Sequence, residues 1–129
     1  MEFSEVVKNR YSCKKFSARK LDGAKLEEIL QAGRLAPTAK NLQEQHIYVV
    51  QSEEGLAKID SVTPCRYGAP TCLVVTYDRG NVFTYPGGKR DSGIEDASIV
   101  ANAVAKNTAT KMGEIMKSDP PTTVENAET

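Results

Sequence analysis

The spacing of apolar residues changes repeatedly along this chain, and each change falls at a proline, a glycine or a capping side chain. Phe3, Val6 and Val7 make one face of a short helix over residues 3–9, with Ser4 placed to cap it. A second helix starts at Asp22 and carries Leu26, Ile29, Leu30, Gly33 and Leu35 at spacings close to i, i+3, i+4, i+7. It stops at Ala36-Pro37, because a proline disfavours helical geometry in the residue before it. Residues 46–50 (His-Ile-Tyr-Val-Val) predict a strand, and Ser52-Glu53-Glu54 opens a short helix through Leu56 and Ile59. After turns at Pro64 and Gly68-Ala69-Pro70, residues 71–77 form a continuous apolar and β-branched run, the pattern of a strand covered on both faces. Residues 78–90 predict a loop that turns at Pro86-Gly87-Gly88. Ser92-x-x-Glu95 has the form of a capping box and opens a helix to about Lys106. Ile94, Ala97, Ile99, Val100, Ala101, Ala103 and Val104 leave that helix few polar faces, which predicts burial in a larger core or a subunit interface. Residues 107–118 can continue it as a weakly amphipathic helix, whereas 119–129 lack apolar content and are expected to be disordered. The chain therefore divides into a domain over 1–106 and a divergent tail over 107–129.

Two polar stretches interrupt this pattern. Residues 36–43 (Ala-Pro-Thr-Ala-Lys-Asn-Leu-Gln) lie between a helix end and a strand start, a rigid setting for ligand contacts as well as for a simple connector. Upstream, Arg10, Ser12 and Lys14 alternate in a segment that reads as extended, so they would share one side. Two cations and a hydroxyl on one side suit a phosphate, since charge-assisted bonds to phosphate oxygens are strong. A solvated basic strand edge would show the same residues.

Composition narrows the choice. At 129 residues the chain fits one domain. Lys plus Arg and Asp plus Glu both number 17, so net charge points to neither nucleic acid nor membrane. No apolar run approaches the roughly 18–20 residues needed to span a bilayer. The acidic start (Met1-Glu2-Phe3-Ser4-Glu5) is unlike a signal peptide, and Cys13, Cys65 and Cys72 form no C-x-x-C pair, so a cytoplasmic protein with reduced thiols and no metal site is expected. Charge is uneven: residues 1–20 carry six bases against two acids, and from Asp91 onward seven acids face three bases. His46 and Cys72 read as structural. Cys13, with Arg10, Lys14 and Lys15 nearby, sits where a thiolate would be favoured but has no histidine beside it in sequence.

Taken together, these stretches resemble the flavin-dependent nitroreductase family. Arg10-x-Ser12-x-Lys14-x-Phe16 looks like the family's R-x-S-x-R-x-F segment, and Ala36-Pro37-Thr38-Ala39-x-Asn41-x-Gln43 is similar to its A-P-S-x-x-N-x-Q loop. Gly33-Arg34-Leu35-Ala36, Tyr67-Gly68-Ala69-Pro70 and Asp96-Ala97-Ser98-Ile99-Val100 follow in matching order, so the resemblance covers residues 3 to about 101. It implies an α+β fold, a sheet flanked by helices, assembled as an intertwined homodimer with FMN at the subunit interface. Arg10, Tyr11, Ser12 and Lys14 would hold the phosphate and ribityl end. Pro37, Thr38 and Ala39 would reach the flavin from the partner subunit, with Asn41 beside them. NAD(P)H would supply electrons for a small acceptor such as a nitroaromatic or a quinone, with no side chain acting as acid, base or nucleophile.

Three departures accompany the resemblance. Lys14 stands where arginine is commoner, keeping the charge but losing the planar fork. Glu44-Gln45 replaces the family's Pro-Trp. After Val100 the family's long interface helix and glycine-rich loop have no counterpart in residues 106–111 and the acidic tail, so the fold is expected to be incomplete, as in a truncated or frame-shifted copy. A non-catalytic relative that dimerises or binds a partner is therefore the alternative to an impaired enzyme. An anion- or nucleic-acid-binding module is a third reading, against which stands the lack of aromatics interleaved with the bases.

Overall fold

The computed structural model describes residues 2–9 and 12–118, with side chains described as far as residue 105. Arg10, Tyr11 and the segment 119–129 lie outside the described residues. Helix α1 (Phe3–Asn9) leads through an extended segment to α2 (Gly23–Arg34), and strand β1 (Gln45–Val50) follows. Helix α3 (Glu53–Val62), a 3₁₀ turn (Pro64–Arg66), strand β2 (Cys72–Tyr77) and helix α4 (Gly93–Ser118) complete the order. The strands pair antiparallel as a two-stranded sheet, Gln45 opposite Tyr77 and Val50 opposite Cys72.

Local chemistry accounts for most boundaries. Asp22 caps α2 by accepting a hydrogen bond from the Lys25 N–H, and Ser52 caps α3 by accepting from the Gly55 N–H. Tyr67, Gly68, Gly87 and Gly88 have positive φ, so the chain reverses after the 3₁₀ turn and again at Pro86-Gly87-Gly88. Arg66 secures the first reversal: it pairs with Asp60 of α3 and donates from Nη1 to the Ala69 carbonyl at 2.6 Å. The Arg66 hydrogen bond holds the Asp60 carboxyl below its ordinary range.

The core forms where α2 crosses α4 over the sheet. Ile29, Ala36, Val100 and Val104 are its buried apolar residues. Gly33 lets the elements approach closely, since a Cβ there would lie 2.9 Å from Ile47 Cδ1 of β1 and 3.1 Å from Val104 Cγ2 of α4.

Several expectations need correction. Leu35 is 82% exposed; it lies at the C-cap of α2, where the chain leaves the helix and turns Ala36 inward instead. β2 is half-buried at all six positions rather than covered on both faces. It has one strand neighbour and packs against α4, and no second helical layer closes it among the described residues. The apolar face of α1 is open, with Phe3 and Val7 exposed, because α1 packs chiefly against α4 among the described residues. Cys72 is half-buried, and Cys13 directs its thiol to the Lys15 carbonyl at 2.9 Å.

Ser92-x-x-Glu95 does not act as a capping box. Asp91 Oδ1 accepts from the Gly93 N–H at 2.9 Å, while Glu95 turns back to Arg90 at 2.8 Å. Ser92 is buried, and its hydroxyl donates to Asp96 Oδ2 at 2.6 Å.

Candidate functional site

The α2–β1 connection is held from two sides, α4 and the loop after β2. From α4, Asp96 Oδ1 accepts the Ala39 N–H at 3.0 Å across 57 residues of sequence. From the loop after β2, Asn81 Nδ2 donates to the Leu42 carbonyl at 3.1 Å, and the Asp78 N–H donates to the Glu44 carbonyl at 2.9 Å. The Lys40 ammonium lies 5.6 Å from the centroid of the Phe83 ring, a cation–π distance. Asn41 and Gln43 both adopt left-handed φ, at 50° and 55°, and their side chains hydrogen-bond each other. Such a conformation in two non-glycine residues survives only where surrounding contacts determine it.

At the base of this loop lies a buried polar cluster. Glu44, Ser92 and Asp96 are each at most 3% exposed. Burial, reinforced by the neighbouring Asp96, pushes the Glu44 carboxyl up from its ordinary value. Burial alone would also raise Asp96, but bonds from the Ser92 hydroxyl, Glu44 and the Ala39 N–H outweigh it and hold Asp96 low. Asp96 also occupies the first turn of α4, where the helix dipole favours negative charge. The two carboxyls are thus driven apart, Glu44 upward and Asp96 downward.

The site residues expected from sequence fall into two groups. Pro37, Ala39 and Asn41 are exposed on the loop, and Thr38 is half-buried with its Oγ1 lacking any hydrogen-bond partner, a spare polar valence. Ser12 and Lys14 are exposed in the segment between α1 and α2. Arg10 and Tyr11 lie outside the described residues. Among the described residues no hydrogen bond joins Ser12 or Lys14 to the loop; each group presents its polar atoms separately. The Glu44–Asp96–Ser92 cluster was missed as a unit. Its one signal in the sequence is the i, i+4 spacing of Ser92 and Asp96, which places them on one helix face.

An α+β protein with this order of elements has known counterparts. The sequence model of the Nitroreductase family matches residues 7–63, a stretch containing both polar groups. A Methanothermobacter thermautotrophicus protein, provisionally named an NADH dehydrogenase/NAD(P)H nitroreductase, is 32% identical over 83 residues, covering 60% of this chain and 42% of that protein. The present chain thus spans less than half of that relative. A crystal structure of a nitroreductase family protein from Clostridium difficile superposes with a TM-score of 0.81 at 29% identity, over 96% of this chain and 79% of the other. A second Clostridium difficile structure, described as an FMN-dependent nitroreductase, gives 0.70 at 28% identity, over 82% and 60%. The fold is the nitroreductase fold, and residues 7–63 carry that family's sequence pattern.

Proposed function

We propose that this chain is part of a flavin oxidoreductase that binds FMN and passes electrons from NAD(P)H to a small acceptor such as a nitroaromatic or a quinone. The observation that carries the reading is the family match over residues 7–63, because it encloses Arg10–Lys14 and Pro37–Asn41 together. The chemistry of the residues fits the cofactor. The exposed Ser12 hydroxyl and Lys14 ammonium, with Arg10, suit a phosphate; the unpartnered Thr38 hydroxyl and the exposed Ala39 and Asn41 offer polar contacts to a heterocycle edge. Bound FMN would supply the hydride and electron chemistry, and the chain's own residues would bind and orient it.

Two copies would complete the site in this reading, with the Pro37 loop of one serving the clamp of the other. Its support is the apolar surface that α4 leaves open, Ile94 at 71% and Ile99 at 41% exposure. The same surface also fits a relative that dimerises without catalysis. A folded, colourless protein that fails to take up added FMN would favour that alternative.

The test is a titration with FMN followed by visible absorption. Arg10→Ala is expected to weaken binding by about 1.5–3 kcal/mol, the range for a hydrogen bond to a charged group. Riboflavin, which lacks the phosphate, should bind wild type and variant alike. Equal FMN affinity for both proteins would sink the phosphate assignment.

A further inference from the structure

Most of the bonds that brace the α2–β1 loop are backbone contacts or lie at its surface; the one to Asp96 comes from a buried acid. Asp96 has two carboxylate oxygens and uses each for a separate donor, Ala39 N–H at 3.0 Å and Ser92 Oγ at 2.6 Å. Ser92 is fixed in turn by its own N–H, which donates to the Phe83 carbonyl at 2.9 Å. The remaining neighbour is Glu44, the residue that enters β1 directly after the loop. Its Oε2 is fully buried with no hydrogen-bond donor directed at it. Gln45 Nε2, although close enough to help hold the Glu44 carboxyl down, makes no contact of hydrogen-bond length. An ionised Glu44 would thus combine an unsatisfied buried oxygen with a second negative charge beside Asp96. Protonated, it can donate to Asp96, and both penalties disappear.

We propose that Asp96 is the positioning residue for the Thr38–Asn41 segment, and that Glu44, buried at the base of the loop with its Oε2 facing no donor, keeps it in place by staying protonated. Other charges around the pair are engaged elsewhere. The Asp78 carboxylate accepts from the Gly80 N–H at 2.7 Å, Asp91 from the Gly93 N–H, Arg90 pairs with Glu95, and Lys40 lies over Phe83. The donors to Asp96 are a backbone amide, a hydroxyl and Glu44 itself. Among the described residues, loss of the Glu44 proton therefore meets no cation placed to compensate it. It sets two carboxylates against each other, and the freed strain acts on the Ala39 N–H bond. If the segment serves flavin as proposed above, the cofactor's grip inherits this dependence; the arrangement itself stands without flavin.

The test is nuclear magnetic resonance on the 129-residue chain with no flavin present, following the Ala39 amide. In wild type its proton shift should show a titration step above the ordinary carboxylate range. Glu44→Gln, which keeps a neutral donor, should abolish the step and hold the signal at its low-pH position. Asp96→Ala should speed Ala39 hydrogen exchange about tenfold to a hundredfold, as expected for losing a bond to a charged acceptor, and Asp96→Asn, which keeps an acceptor oxygen, should restore much of the protection. Should Asp96→Ala not fold, Ser92→Ala removes one of the donors that hold Asp96 and should accelerate the same exchange. A step that persists in Glu44→Gln, or Ala39 exchange unchanged by these substitutions, overturns the proposal. A chain that failed to bind FMN would leave every one of these readings intact.

Discussion

Gly93 begins α4 against the flat of an aromatic ring. A Cβ at that position would fall 2.0 Å from Tyr77 Cε2 and 2.4 Å from two further ring atoms, a distance no side-chain relaxation of a rigid ring absorbs cheaply. Gly93→Ala is expected to destabilise the fold by about 1–3 kcal/mol, the usual range for overpacking, despite alanine's better helix propensity. Urea unfolding measures it, and a variant as stable as wild type would mean that α4 can shift off β2 without penalty. The same junction shows why Ser92 is a poor site for a conservative change. Its hydroxyl donates to a buried carboxylate rather than capping the helix, so what it holds is the acid cluster, not the helix end.

Single elements differ in how much they depend on their surroundings. Helix α3 has no buried residue, so its start relies on the Ser52 hydroxyl accepting the Gly55 N–H at 3.1 Å and on Glu53 and Glu54 in its first turn. Ser52→Ala should cost about 1 kcal/mol, as removal of an N-cap does. Because packing adds little there, the loss should appear as fraying of residues 53–56 in hydrogen exchange before it appears in global unfolding. Equal protection of those amides in both proteins would show that the helix start is held by tertiary contacts instead. Helix α4 is the opposite case. Val100 is 2% exposed within one chain, so Val100→Asp should unfold the domain and says nothing of assembly. Ile99, one residue away on the open face, is the position that tests assembly. Ile99→Asp should keep the circular dichroism of wild type while lowering the mass seen by light scattering, and an unchanged mass would count against α4 as a subunit contact.

For the whole molecule, the acid pair gives stability a defined dependence on pH. Glu44 titrates higher in the fold than its ordinary 4.5, so above 4.5 the native state keeps a proton that the unfolded chain releases. Its contribution is complete below 4.5 and is lost as pH rises through the raised value. Asp96 titrates below 3.8, so its contribution is complete above 3.8 and is lost as pH falls through the lowered value. Together the pair stabilises the fold most between 3.8 and 4.5. Urea midpoints collected against pH should fall on the alkaline side of that window for wild type and fall less for Glu44→Gln. Parallel curves for the two proteins would remove Glu44 from the account.

The order and kind of the elements follow from local rules legible along the chain: Asp22 and Ser52 as caps, Pro37 as a stop, the apolar strand runs, and the glycines at 87 and 88. The sequence also located the two polar stretches, since their residues are close in sequence and their pattern matches a family's. What it left open is everything that needs distant residues to meet. Leu35 continues the apolar period of α2 yet points to solvent, because the period ends where the helix does and Ala36 takes its place in the core. Ser92 and Glu95 have capping-box spacing, but Arg90 and Asp96 compete for their side chains and win. Glu44 looked in sequence like a departure from a family pattern. Only the fold brings it beside Asp96, 52 positions onward by the numbering, at the base of the loop that Asp96 holds through the Ala39 N–H.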